Sequence, residues 1–245
     1  MSLEPQAADG LLRAGRLEVL GRLESASNVT LLCRISAPAT TGPEPPLEAM
    51  CAYKPIRGEA PLWDFPAGTL AYREVAARLV SEATGWGIVP PTVLRDGPYG
   101  PGMVQLWLEV DPSIDVVELI RANAPALRPI ALFDAVVNNG DRKAGHLLPV
   151  PGGRIHGVDH GVCFSPDPKL RTVLWGWMDG PLEESELALL RRLHRELDGS
   201  LGAALGGLLQ PEEVAATARR IERLLDEGRF PAPDPGRPAV PWPWY

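Results

Sequence analysis

The run Asn138-Asn139-Gly140-Asp141-Arg142-Lys143-Ala144-Gly145-His146 closes an apolar stretch, and Asp159 follows thirteen residues after His146 in Val158-Asp159-His160-Gly161. Two carboxylates in this order suit phosphoryl transfer. The transferring group needs its charge neutralised by metal, and the acceptor hydroxyl needs a base or an orienting carboxylate. Asp141 would orient or deprotonate the acceptor, and Asp159 would bind Mg²⁺ as a hard oxygen ligand. Arg142 would hold the loop by hydrogen bonds or balance its charge. Each short motif is weak alone, so the elements around them must carry part of the argument.

Residues 17–20 and 29–35 alternate as two strands around the polar turn Glu24-Ser25-Ala26-Ser27-Asn28. This turn, Ser27 included, either lays backbone N–H groups over nucleotide phosphates or closes an ordinary hairpin. A Pro- and Thr-containing loop, 36–46, leads to a third strand ending Cys51-Ala52-Tyr53-Lys54-Pro55. Lys54 ends an apolar run, where its ammonium either meets a nucleotide's phosphates at a cleft mouth or is solvated surface charge. A helix is expected over 70–83 with Thr69 as N-cap. Glu74 either pairs with Lys54 and holds it in register or complements the helix N-terminus.

Gly85-Trp86-Gly87 stops that helix, and the prolines make 89–94 extended. A turn over 96–102 leads to a buried strand, 103–109, which runs into a hinge. Backbone amides among 105–110, with Gln105 at their head, are the candidates to meet an adenine edge. Beyond the hinge the periodicity gives helices over 114–121, 128–138, 187–197 and 211–225. Residues 147–148 and 155–158 read as a hairpin that brings Asp141 and Asp159 together. Asp134 is either a buried buttress or a solvent-facing carboxylate, and His160 reads as a structural hydrogen-bonding residue. Trp63, Trp107, Trp175 and Trp177 read as core or cleft wall. The tail from Phe230, rich in Pro and carrying Trp242, Trp244 and Tyr245, is an extended strap or a flexible end.

At 245 residues and 26.4 kDa the chain can bury one substantial core or two lobes around a cleft. A net charge of −7 and a pI near 5.2 argue against generic nucleic-acid binding. Cys33, Cys51 and Cys163 show no C-x-x-C spacing, so neither a zinc site nor a disulfide framework is expected. With no long apolar run before Arg13, no signal peptide or stable membrane insertion is expected, and the cytoplasm is the expected compartment.

In Tyr53-Lys54-Pro55, Arg73-Glu74-Val75-Ala76-Ala77, Gly87-Ile88-Val89-Pro90-Pro91-Thr92, Asn139-Gly140-Asp141-Arg142 and Val158-Asp159-His160-Gly161 the sequence resembles the phosphatidylinositol 3-/4-kinase superfamily. The likeness is to an actinobacterial branch that looks like the type II phosphatidylinositol 4-kinases, and it covers roughly residues 17–200. HipA-type protein kinases and secretory-pathway kinases share parts of the same pattern. The resemblance implies an α+β, two-lobed, protein-kinase-like fold. It would have an antiparallel-sheet N-lobe over 17–108 and a mainly helical C-lobe over 109–229, flanked by a segment 1–16 and the tail 230–245. It also implies ATP as cofactor with Mg²⁺ or Mn²⁺, and a phosphoryl acceptor that the residues leave open among protein, small molecule and lipid.

Carried over by position, Lys54 contacts the nucleotide phosphates, Glu74 supports it, Asp141 is the catalytic Asp and Asp159 the metal ligand. One position departs from the pattern. His146 stands where these kinases usually have a metal-binding Asn, and an imidazole suits Mn²⁺ or Zn²⁺ better than Mg²⁺. Lys143, where His is common in the lipid kinases, would place a fixed positive charge near the transferring phosphate. Two alternatives stay open: a nucleotide-binding pseudokinase with a regulatory or scaffold role, and transfer of AMP on the same fold.

Overall fold

The computed structural model describes residues 4–24, 27–38 and 47–245. Ser25 and Ala26 of the expected phosphate-covering turn, and residues 39–46 of the loop after it, lie outside the described residues. The chain opens with a helix that the apolar periodicity does not announce, α1 (Pro5–Ala14). Pro5 sits in its first turn, where a missing N–H costs nothing. Strands β1 (Arg16–Arg22), β2 (Leu31–Ser36) and β3 (Glu48–Pro55) follow, then α2 (Leu70–Thr84), β4 (Thr92–Gly97) and β5 (Gly100–Leu106). The five strands form one antiparallel sheet in the order β1-β2-β3-β5-β4.

Leu31, Cys33 and Ile35 alternate along β2 into one face, which packs with Leu11 and Leu12 of α1 and with Cys51, Tyr53, Val93 and Val104. Residues 96–102, expected as a turn, are mostly strand: Gly97 pairs with Gly100 across Pro98-Tyr99. Farther along β5, glycine allows the close approach to β3, since a Cβ on Gly102 would run into the Lys54 carbonyl.

The second half is mainly helical: α3 (Val116–Arg121), α4 (Arg128–Val137), α5 (Glu184–Leu197), α6 (Ser200–Gly206) and α7 (Pro211–Glu227), with a short hairpin of β6 (Leu147–Pro149) and β7 (Ile155–Gly157). Its core joins Phe133 and Val136 of α4 with Leu190, Leu193 and Ile221, and takes in Ala76, Ala77 and Val80 of α2. Helix α2 therefore belongs to both lobes: it packs on β4 and β5 and also against α5 and α6. Buried Arg73 strengthens the junction, donating to the Cys163 carbonyl at 2.7 Å and pairing with Glu213 of α7.

Thr69 is not the side-chain cap of α2. Its hydroxyl donates to the Pro66 carbonyl, while the free N–H groups of Leu70 and Ala71 donate to the Glu59 carboxylate at 3.2 and 2.9 Å. The tail is a strap held through its backbone. The Ala239 carbonyl accepts from Thr172 N and Trp175 Nε1, and the Trp244 carbonyl accepts from Ala144 N beside the expected catalytic residues. Among its aromatic rings Phe230 is buried in the core against Trp177, whereas Trp242 is 87% exposed and Trp244 and Tyr245 are also exposed, so the far end is not anchored by its rings. Among the described residues no helix is long and apolar enough to cross a membrane.

Candidate active site

Alternation along β3 buries Cys51, Tyr53 and Pro55 on one face and leaves Lys54 on the other, toward α2. There Lys54 Nζ donates to Glu74 Oε1 at 2.7 Å and to Asp159 Oδ1 at 2.8 Å. Glu74 is itself held from the second lobe, accepting the His160 backbone N–H on Oε2 at 2.8 Å. Burial opposes the Lys54 charge, but Asp159 and then Glu74 outweigh it and raise its pKa. Asp159 is held well below the usual carboxylate range, first by the Lys54 ammonium and against the effect of burial. Burial raises Glu74, with Lys54 opposing it. Asp159 adopts φ +62°, a left-handed conformation that Asp tolerates better than most side chains.

The loop that carries Asp141 hangs from buried polar residues. Asn138 ends α4 in the left-handed conformation and binds the Ser165 and Asp167 carbonyls and the Lys169 N–H. Asn139 donates to Asp134 Oδ1 and accepts the Asp141 N–H at 3.0 Å, which fixes that residue's backbone. Arg142 is fully buried. It donates to both Asp134 oxygens, to the Val158 carbonyl at 2.9 Å and, from Nη2, to His160 Nε2 at 2.7 Å. A guanidinium only donates, so His160 accepts at Nε2 and carries its proton on Nδ1. Of the two expectations for Arg142, the geometry gives it the loop-holding one: it cannot touch a ligand. Asp134, 0% exposed, is the buttress.

Asp141 pairs with Lys143 at 3.2 Å, and burial raises its pKa above the ordinary Asp value against the pull of Lys143. His146 Nε2 lies 3.4 Å from Asp159 Oδ2. Burial lowers the His146 pKa to about 4, so its imidazole is neutral near pH 7 and can ligate a metal. Among the described residues no group of three or more His, Cys, Asp and Glu side chains could hold a metal by itself. Asp159 and His146 instead form a partial donor set, which fits a cation completed by phosphates and water.

Two expected ligand contacts fall elsewhere. Gln105 is buried, donates to Thr92 Oγ1 at 2.8 Å and lies within the ladder between Ala52 and Thr92, so it has no free amide edge at the cleft. The strand ends at Leu106 rather than at 109, and the N–H groups of Leu106 and Trp107 are taken by the Pro91 and Met50 carbonyls, so a hinge N–H contact must come from 108–110. Ser27 is exposed, and Asn28 and Val29 rather than Ser27 line the small cavity, about 20 Å³, beside Lys54, Glu74 and Asp159. Residue type and spacing did not single out Asn138, Asn139 or Glu59 as positioning residues; the left-handed preference of Asn after an apolar helix is the signal that could have found Asn138.

No protein-family model matches the chain. It is 42% identical over 271 aligned positions to protein Rv2133c of Mycobacterium tuberculosis, across 96% of this chain and 94% of that protein. The chain belongs to the Rv2133c family. A match to phosphatidylinositol 4-kinase gamma 4 of Oryza sativa subsp. japonica is 26% identical over 64% of this chain but spans only 32% of that protein. Among solved structures, a hydra Fam20 determined with sugar superposes with a TM-score of 0.56 at 14% identity, covering 93% of this chain and 88% of that one. The Helicobacter pylori proinflammatory kinase CtkA does so with a TM-score of 0.51 at 10% identity, covering 89% and 94%. This member of the Rv2133c family thus has an α+β kinase-like fold with a small antiparallel sheet and a helical second lobe.

Proposed function

We propose that the chain is an ATP- and divalent-metal-dependent phosphotransferase of the phosphatidylinositol 3-/4-kinase-like group, acting on a hydroxyl. The observation that carries this reading is the meeting of Lys54, Glu74 and Asp159 from three separate elements in one ion-pair cluster. Lys54 would turn from Asp159 to the nucleotide phosphates while Glu74 keeps it in register. A divalent metal, when bound, would draw off charge from the transferring group, and Asp159 with His146 would hold it. Asp141 would accept the acceptor's hydroxyl proton, a task its raised pKa favours. Lys143 would steady the negative charge beside it. The cytoplasm is the compartment in this proposal, and neither nucleic acid nor stable membrane insertion enters it.

His146 and the narrow cavity at Lys54 favour a second reading, nucleotide binding without turnover. Transfer assays with ATP and Mg²⁺ or Mn²⁺ separate the two. Asp141→Asn is expected to lower transfer by about 10²-fold or more while ATP binding persists. A demonstrated transfer rate unchanged in both Asp141→Asn and Asp159→Ala would refute the phosphotransferase. An acceptor that gains a nucleotide rather than a phosphate would replace it with AMP transfer.

A further inference from the structure

A groove of about 740 Å³ has Gly140 and Asp141 in its wall but excludes Lys54 and Asp159. Another of its walls is α7, which presents Arg219 and Arg223, both exposed and one turn apart on the same helix face. Among the described residues neither has an ion-pair or hydrogen-bond partner. The groove's other cations are committed. Lys169 pairs with Asp64 at 2.8 Å, Arg171 Nε donates to the Gly140 carbonyl at 2.7 Å, Arg220 Nε to the Val136 carbonyl at 2.9 Å, and Arg237 to the Pro168 carbonyl at 2.7 Å. Six cationic side chains and five carboxylates line this groove, a local excess of positive charge in a chain of net −7.

Two uncommitted guanidinium forks match the geometry of a phosphate. Leu62, Trp63 and Trp175 offer apolar surface for a carbon skeleton, and the volume is that of a small-molecule site rather than a bed for a folded partner. We propose that this groove is the acceptor site and that the acceptor is a small soluble hydroxyl compound carrying a phosphate. Arg219 and Arg223 hold the phosphate while the hydroxyl faces Asp141. The role of Asp141 rests on the phosphotransferase reading, whereas the anion site does not. In the transfer the acceptor oxygen bonds to the γ-phosphorus of ATP as the bond from that phosphorus to the β–γ bridging oxygen breaks. The hydroxyl proton goes to Asp141, and ADP leaves with the electron pair.

The test is calorimetry, without nucleotide, of glycerol 3-phosphate, glucose 6-phosphate and myo-inositol 1-phosphate, each against its phosphate-free parent. At least one phosphate compound is expected to bind saturably, with its parent about tenfold weaker or worse. The Arg219→Gln/Arg223→Gln variant should weaken that binding by about tenfold or more with ATP binding unchanged, and Lys54→Met should leave it as in the native chain. No saturable binding, equal binding by the double arginine variant, loss on Lys54→Met, or binding confined to phosphatidylinositol vesicles or an acidic peptide would each overturn the proposal. A failed phosphotransferase shows itself differently, as absent ATP binding or turnover in a chain whose anion binding is intact.

Discussion

Arg142 is an arginine that chemistry alone would place on a phosphate and that packing places in the interior, tying Asp134, Val158 and His160 into one knot beneath Asp159. Arg142→Ala leaves the Asp134 carboxylate buried without its partner, at a cost of about 3–5 kcal/mol in stability. Denaturant unfolding reads this directly, and a loss under about 1 kcal/mol would contradict the buttress. His146 makes a second residue-scale prediction. Its folded pKa, about 4, lies below the ordinary His value, so in acid the unfolded chain takes up the proton first. Stability is therefore lost as pH falls from about 6.5 toward 4. His156 and His160, also lowered by burial, act in the same direction. His146→Asn should flatten that decline in melting temperature, and an unchanged slope would assign the acid loss to the other two histidines. The sequence marked Asp141, Lys54, Glu74 and Asp159 as candidates by residue type and position, and the fold brings Lys54, Glu74 and Asp159 into contact. It did not show the partners of Arg142, because its burial depends on contacts with residues up to eighteen positions away, Asp134, Val158 and His160, that only the fold brings together.

Strand alternation and helix periodicity made most elements legible, and of the two roles left open for Glu74 the fold shows the pairing with Lys54. They failed where local pattern is thin. The helix α1 holds only two large apolar residues, Leu11 and Leu12, and its packing on the sheet runs through them. The short α6 has too few turns for periodicity to register. The α2 cap was misread because Thr69 has the right residue type and position, whereas Glu59 reaches the helix from eleven residues upstream. Glu59→Ala is expected to cost about 1 kcal/mol of stability and Thr69→Ala less. Melting curves that reverse this order would return the cap to Thr69.

Across the whole molecule, α2 couples the lobes: Glu74 reaches Lys54 in the sheet and the His160 N–H in the second lobe, and Arg73 reaches Glu213 of α7. On the proposed function, a nucleotide that took up the Lys54 ammonium would separate it from Asp159 while Glu74 kept its hold on both lobes. The acidic net charge, which speaks against broad anion binding, coexists with a groove of nearly balanced charge in which the fold leaves Arg219 and Arg223 uncommitted. The most direct test of the central claim is calorimetric ATP binding without metal, with Mg²⁺ and with Mn²⁺, on the native chain and on Asp159→Ala. The account predicts metal-dependent binding by the native chain that the substitution abolishes. Absence of binding under every condition, or equal binding by Asp159→Ala, would contradict it.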